Sequence, residues 1–370
     1  MKIGIMTFHR AWNYGAVLQV YALQQSIRSR GYDCEIVDYR NDYIENSYSL
    51  WPNAKASPKE LVKETVNLPV RMKRKKVFNT FRNKYLNIGP VYTMQTIVQA
   101  NAEYDGFVFG SDQVWNPDLT DADMNYLGAF VTQNHKRNAY AASFGEKQLS
   151  DEHAEAYRKE LSRFNKVAVR EKIGQKHFFE LTHKTSQEVV DPVFLLSAEE
   201  WAKIGTKKEV PYPYIFVYQL QGNKTQTMHY AQHLAKQTGL RIVEFQAWAN
   251  IKKRNVKPVY AGDPCDFLNL IQNAECVITD SFHCTAFSVI LEKKFWARVN
   301  PQKEVLQTRV GNLLWDLNLQ ERILPNDVTK WGFNSEIDFL QAKELLQDKI
   351  YQSQQYLDNV LSEVQAKQGQ

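Results

Sequence analysis

The chain has 370 residues, of which 44% are hydrophobic and 24% charged, as in ordinary globular proteins and not in disordered ones. At roughly 100–200 residues per domain, this length predicts two or three domains. The net charge of +5 is too small to indicate nucleic-acid binding. The four cysteines form no CxxC pair, and no run of 18 apolar residues occurs, so we expect reduced thiols in a cytoplasmic protein without a membrane-spanning helix.

Strands and helices alternate along the first two hundred residues. A short apolar strand precedes Ala16, Val20, Leu23 and Ile27, which recur at helical spacing before Gly31. Further strands are predicted at 34–39, 105–111, 137–144, 166–170 and 188–196, with a helix at 151–164. This βαβ beginning favours a parallel sheet.

A second alternation of strands and helices follows the polar, proline-containing stretch 197–213. Its predicted strands are 214–220, 241–245, 276–279 and 295–299, and its predicted helices are 225–238, 266–274, 282–293 and 339–363. We therefore predict an α/β protein with a Rossmann-like domain at 1–205, a second one at 206–338 and a helix within 339–370 that packs back across both. Two such domains are expected to enclose a cleft lined by the carboxyl ends of their strands.

The segment Asp280-Ser281-Phe282-His283 joins an apolar strand to a helix. Asp280 or Ser281 can cap the helix, and His283 then lies in its first turn, where backbone N–H groups favour an anion. A histidine there can donate a proton to the anion or to a reacting atom. The alternative interpretation is a histidine whose ring is satisfied by packing over the strand end.

Arg170 directly follows the strand Val167-Ala168-Val169. Its guanidinium is well shaped to clamp a carboxylate or a phosphate, although a charge after a strand also commonly marks the exit to solvent.

The segment 110–117, Gly-Ser-Asp-Gln-Val-Trp-Asn-Pro, offers hydrogen-bonding side chains and a tryptophan face suited to a sugar ring. A turn with a core tryptophan is the structural alternative.

Several common motifs are absent. The sequence contains no Walker A, GxSxG, HExxH or GxGxxG pattern. Asp121-Ala122-Asp123 matches a short DxD pattern, which we interpret as a solvated loop, and we predict neither a metal nor a cofactor. The basic run Arg71–Lys76 is interpreted as a solvated helix face, with docking on anionic lipid as the alternative.

Taken together, these segments resemble the polysaccharide pyruvyl transferase family. The resemblance spans roughly residues 3 to 325 and rests on the order of six segments. They are Asn13-Tyr14-Gly15 with Leu18-Gln19, the 110–117 segment, Tyr140–Gly145, Val169-Arg170-Glu171, Asp191-Pro192 and Asp280–His283. The chain departs from many relatives in having Cys284 after the histidine and Lys293-Lys294 further on.

The resemblance implies a GT-B-like fold and transfer of pyruvate from phosphoenolpyruvate to a hexose of galactose type in a surface or capsular glycan, which forms a cyclic ketal. It implies His283 and Arg170 as catalytic residues. The donor would be bound by Arg170, Ser281, His283, Lys303 and Arg309. The acceptor, a sugar or a lipid-linked oligosaccharide at the inner face of the membrane, would contact Asn13, Tyr14, Gly15, Ser111, Asp112, Gln113, Trp115, Asn116, Ser143 and Phe144.

Two other functions fit the same residues. A glycosyltransferase on this scaffold would use the cations to hold the diphosphate of a nucleotide sugar. A glycan-binding protein without catalytic activity would use only the polar loops, since fold does not fix function.

Overall fold

The computed structural model describes residues 1–50, 57–145, 149–205, 210–220, 224–246, 257–260, 262–331 and 336–367. Within it the chain divides into two compact units. The first comprises Met1–Ser49, Thr80–Leu196 and Asp348–Gln370, and the second comprises Leu50–Asn79 and Ser197–Gln347. This division differs from the sequence prediction in assigning 50–79 to the second unit and most of the terminal helix to the first. The predicted boundary at 205–206 borders residues outside the described ranges.

The first unit contains a seven-stranded parallel sheet. Its strands are β1 (Lys2–Met6), β2 (Asp33–Tyr39), β3 (Ile88–Tyr92), β4 (Gly106–Phe109), β5 (Arg137–Ala142), β6 (Lys166–Val169) and β7 (Gln187–Glu188). Their order is β3-β2-β1-β4-β5-β6-β7, the Rossmann order extended by one edge strand. Every residue of β4 and β5 is buried, as expected for strands covered on both faces.

The second unit contains a five-stranded parallel sheet. Its strands are β8 (Tyr214–Tyr218), β9 (Arg241–Gln246), β10 (Lys257–Tyr260), β11 (Cys276–Thr279) and β12 (Phe295–Ala297). The order β10-β9-β8-β11-β12 again places the two halves of the sheet on either side of the first strand. The predicted class, two Rossmann-like α/β domains of the GT-B-like kind, is thereby confirmed, while the cleft between them stays a prediction.

Helices connect the strands. They are α1 (Tyr14–Arg28), α2 (Asp42–Ser47), α3 (Pro58–Tyr85), α4 (Ala100–Glu103), α5 (Pro117–Thr120), α6 (Asp151–Leu161), α7 (Lys172–Thr182), α8 (Ala198–Ala202), α9 (Lys224–Thr238), α10 (Pro264–Gln272), α11 (Phe282–Ile290), α12 (Arg309–Asp316) and α13 (Phe339–Lys367). The first begins where Asn13 accepts a hydrogen bond from the backbone N–H of Ala16 at 3.3 Å. None of the helices in the described part of the chain is long and apolar enough to span a membrane.

The terminal helix α13 supplies apolar side chains to the core of the first unit. Leu357, Val360, Leu361 and Val364 are buried there beside the residues of β1 and β4. Tyr356 donates a hydrogen bond from its hydroxyl to the carbonyl oxygen of Ala139 at 2.8 Å. This packing explains why the helix from Asp348 onward groups with the N-terminal strands.

One predicted strand is wrong. Residues 188–196 were expected to be extended, but only Gln187–Glu188 form a strand, and Pro192–Leu195 form a 3-10 helix. Asp191 caps this turn by accepting a hydrogen bond from the N–H of Val193 at 3.1 Å. Pro192 occupies the first helical position, where its missing N–H costs nothing.

Candidate active site

In the first unit, the order in which the chain adds strands to the sheet reverses between β1 and β4. The loops after these two strands meet at this point. Thr7 donates a hydrogen bond from its hydroxyl to the carbonyl oxygen of Ser111 at 2.9 Å. The amide of Gln19, on α1, donates to the Thr7 hydroxyl at 3.2 Å. Such a switch point at the carboxyl ends of parallel strands is where α/β proteins bind ligands.

Arg170 lies beside this switch point, in the midst of three carboxylates. Its Nη1 is 2.7 Å from Asp191, its Nε is 2.8 Å from Glu171, and its Nη2 is 3.5 Å from Asp112. Burial alone would lower the pKa of Arg170, but the negative charges of these neighbours hold the pKa above its ordinary value. The arrangement differs from the predicted clamp on an incoming anion, because carboxylates of the protein already surround the guanidinium.

The 110–117 segment is held by a tight backbone arrangement. Gly110 has φ +115°, and a Cβ at this position would lie 2.3 Å from the carbonyl oxygen of Tyr140. The N–H of Ser143 donates to the carbonyl of Asp112 at 3.0 Å, so the loops after β4 and β5 are joined. Asp112 itself has φ +73° and keeps 13% of its side chain exposed.

Several predicted acceptor-binding side chains belong to the core. Trp115 is fully buried and packs against Phe144, with 5.2 Å between ring centroids, and also against the rings of Phe164 and Phe178. The prediction that Trp115 presents a face to a sugar is therefore wrong, since aromatic neighbours cover its ring. Other predicted contact residues have buried side chains as well: Tyr14, Ser111, Ser143 and Phe144.

The remaining predicted acceptor residues are either partly exposed or engaged in the local structure of their loops. Asn13, Asp112 and Gln113 are partly exposed, and Gly15 lies in the buried first turn of α1. Asn116 caps α5 by accepting from the N–H of Asp118 at 3.1 Å, and its amide donates to Gln113 at 2.9 Å. Asn13, Asp112 and Gln113 are thus the predicted residues best placed to meet a ligand.

One histidine, to which the sequence analysis gave no individual role, lies in the loop after β1. His9 is buried, with Nε2 3.0 Å from Asp38 and Nδ1 3.2 Å from the carbonyl oxygen of Thr7. A carbonyl oxygen and a carboxylate thus hold the ring from both sides. Burial by itself would raise the pKa of Asp38, but hydrogen bonds and charges from His9, Arg40 and Arg10 lower the pKa below its ordinary value.

In the second unit, β11 ends at Thr279 and α11 begins at Phe282, as the sequence predicted. Ser281 caps the helix by accepting from the N–H of Cys284 at 3.4 Å. Asp280 accepts from the N–H of Leu220 at 2.6 Å and so links this turn to the end of β8. His283 lies in the first turn of α11, is 6% exposed and contacts the ring of Phe282 edge-on.

The two predicted cationic donor ligands follow β12, the neighbour of β11. Lys303 lies in a turn closed by its N–H and the carbonyl of Asn300 at 3.2 Å, and it is half-buried. Arg309 is the first residue of α12, which packs against α11. Because β11 and β12 are parallel, the segments that carry His283, Lys303 and Arg309 leave the sheet at the same edge.

The short DxD pattern has a structural role. Asp123 accepts hydrogen bonds from the hydroxyl of Tyr39 at 2.5 Å and from the amide of Asn41 at 2.8 Å. Asp121 ends α5 in the left-handed conformation. In the described ranges, no group of three or more His, Cys, Asp or Glu side chains could hold a metal ion.

The model of the polysaccharide pyruvyl transferase family matches residues 13–300. This match covers most of the chain, including the Asn13 cap, the Arg170 cluster and the His283 turn. The chain belongs to this family. Comparison with curated protein sequences gives no significant match.

Among solved structures, this pyruvyl transferase family member is similar in fold to a UDP-N-acetylglucosamine 2-epimerase and to MnaA. UDP-N-acetylglucosamine 2-epimerase from Rickettsia bellii matches with a TM-score of 0.51 and 11% identity, over 99% of this chain and 97% of that one. The Staphylococcus aureus MnaA–UDP structure matches with a TM-score of 0.50 and 11% identity, over 95% and 90%. At this identity, the likeness shows the shared fold.

The structure also brings together polar residues that sequence reasoning missed in this transferase family member. In the second unit, Gln219 donates its amide to the buried Glu244 at 3.0 Å. In the first unit, Glu171 and Asp191, which the sequence analysis named only as parts of motifs, join Arg170. Glu244 gave a usable signal, because it is a charge within the apolar run Ile242-Val243-Glu244-Phe245. A charged residue inside a strand that is buried on both faces calls for a partner or a function.

Proposed function

We propose that this protein transfers the pyruvyl group of phosphoenolpyruvate to two hydroxyls of a galactose-type hexose in a surface or capsular glycan. One hydroxyl attacks C2 of the enol while C3 is protonated, phosphate leaves, and the second hydroxyl closes a cyclic ketal. Of the two hydroxyl protons, one balances the new methyl group and the other the departing phosphate. The family match supports a transferase, and the residues of each unit fit a part of this reaction.

The observation that carries the proposal is the position of His283 in the first turn of a capped helix at the carboxyl end of β11. The N–H groups of such a turn favour a phosphate or carboxylate. A histidine beside them can protonate the enol carbon or the departing phosphate. Lys303 and Arg309 follow the adjacent parallel strand and add positive charge at the same edge.

The first unit suits the sugar better than the anionic donor. Three carboxylates, Asp112, Glu171 and Asp191, surround the single guanidinium of Arg170. Carboxylates accept hydrogen bonds from hydroxyls and repel phosphate. We therefore assign Arg170 as a positioning residue that fixes these acceptors, and Asp112, which is partly exposed, as a hydroxyl ligand.

An acceptor that is still lipid-linked would bring the protein to an anionic membrane surface. On α3, Lys73, Lys75 and Lys76 are exposed, whereas Arg71 and Arg74 are buried. Each exposed lysine near such a surface contributes about 1 kcal/mol of attraction. Neutralising the three lysines should abolish flotation with phosphatidylglycerol vesicles, and flotation that persists would remove the membrane role.

Thermal unfolding in the presence of candidate donors tests the reaction. A ligand that binds only the folded state raises the melting temperature. Phosphoenolpyruvate should stabilise the protein, and a galactoside incubated with it should gain a pyruvate ketal detectable by mass spectrometry. Stabilisation by UDP-sugars alone would instead favour a glycosyltransferase, and galactoside binding without any donor would favour a glycan-binding protein.

A further inference from the structure

The two residues Gln219 and Glu244 form a polar pair towards the carboxyl ends of the neighbouring strands β8 and β9. Gln219 follows β8 directly, and Glu244 lies on the neighbouring strand β9, where Val217 and Glu244 are paired. The two residues are 9% and 3% exposed. The next residue, Leu220, donates its N–H to Asp280, whose chain neighbour Ser281 caps the helix of His283. The pair therefore lies on the same carboxyl edge as His283.

The hydrogen bond between the two residues fixes the orientation of the Gln219 amide. Nε2 lies 3.0 Å from Oε1 of Glu244 and donates to it, because an amide oxygen in that place would face a carboxylate oxygen. Oε1 of Gln219 is consequently directed elsewhere. This buried oxygen accepts no hydrogen bond from the part of the chain that the structure describes. A buried acceptor without a donor is costly, so the site calls for a donor that the described residues do not supply.

We propose that Gln219 and Glu244 form a subsite for a hydroxyl of the sugar acceptor. The inference rests on the proposed function and specifies how the acceptor sugar is recognised. Phosphoenolpyruvate at neutral pH offers acceptors and negative charge, so it cannot satisfy Oε1 and is repelled by Glu244. A sugar hydroxyl donates to Oε1, and the neighbouring carboxylate adds electrostatic attraction for hydroxyl hydrogens.

Equilibrium binding of p-nitrophenyl β-galactoside, measured by calorimetry without any donor, tests the subsite. Gln219→Met keeps the side-chain length and removes both polar groups, and it should weaken galactoside binding about tenfold, as expected for a lost buried hydrogen bond. The protection given by phosphoenolpyruvate should be unchanged. Tyr214→Phe is the matched control, because it removes a buried hydrogen bond to Leu270 at the other end of β8.

Deoxy-galactosides identify the hydroxyl. One deoxy-galactoside of the series should bind the wild-type protein about tenfold more weakly than the parent galactoside does. The same deoxy-galactoside and the parent should bind Gln219→Met with equal affinity. Equal galactoside affinity in wild type and Gln219→Met, or equal loss in Tyr214→Phe, would overturn the proposal. If uridine and UDP lose affinity in the variant while galactosides do not, the hydroxyl is that of a ribose and the sugar subsite is refuted. The binding measurement contains no donor, so its result can be interpreted even if the protein does not transfer pyruvate.

Discussion

Nη1 of Arg170 and the carboxylate of Asp191 are 2.7 Å apart, and both side chains are almost completely buried. The bond ties the end of β6 to the turn that follows β7, and Ser111 approaches the same carboxylate at 3.5 Å. Two loops of the predicted site are thus held through one ion pair. Arg170 therefore has a structural task that its position after a strand did not reveal.

Replacing Arg170 with Met should destabilise the protein by about 3–5 kcal/mol, because it leaves buried carboxylates without their counter-charge. Urea unfolding measures this loss. Arg158→Met, which removes an exposed ion pair with Glu155, is the control and should have little effect. An Arg170→Met protein of unchanged stability that no longer responds to phosphoenolpyruvate would instead restore the arginine as a donor clamp.

Replacing His283 with Ala should abolish pyruvyl transfer while the protein stays folded. Loss of a proton donor lowers turnover by about 10²–10⁴-fold. The cap from Ser281 does not depend on the imidazole, so α11 should persist. His229→Ala, on the exposed face of α9, provides the control. Turnover close to wild type in His283→Ala would exclude the histidine from the chemistry.

The alternation of strands and helices could be predicted because apolar runs and helix caps are local properties. Strand β11 and the beginning of α11 match the prediction, and Asn13 caps α1 as its side chain suggests. The order of segments was also sufficient to indicate the family. These features depend on neighbours in sequence, which the sequence displays directly.

What could not be predicted depends on residues far apart in sequence. The enclosure of Arg170 by Asp112 and Asp191 joins positions separated by 58 and 21 residues in the numbering. Trp115 was predicted to be a sugar platform because the three aromatic residues that cover its ring lie outside its own loop. The Gln219–Glu244 pair likewise required knowing that β8 and β9 are adjacent.

Replacing Gly110 with Ala should destabilise the loop after β4. At φ +115° a side chain is strained, and the new Cβ would collide with the carbonyl of Tyr140. Because both effects add, we expect a loss above about 2 kcal/mol in urea unfolding. Gly31→Ala is the matched control, since Gly31 has φ +83° but nothing within 4 Å of a Cβ. Equal losses in the two variants would show that the contact with Tyr140 contributes nothing.

The stability of the protein should fall in acid, partly through Asp38. Its folded-state pKa lies below the ordinary value of 3.8, so its ionised form stabilises the fold above that pH. As the pH falls below 3.8, the unfolded chain takes up a proton that the folded Asp38 accepts only at lower pH, so the stabilisation by His9 and the nearby arginines is progressively lost. Asp38→Asn should therefore lose stability at pH 7 and show a flatter decline between pH 5 and pH 3 in urea unfolding, with pH values chosen around the ordinary pKa.

Asp358→Asn, which removes the more exposed pair with Arg30, should keep the wild-type slope. A slope in Asp38→Asn equal to that of wild type would mean that other carboxylates carry the acid sensitivity, since linkage requires the slope to follow the protons taken up on unfolding.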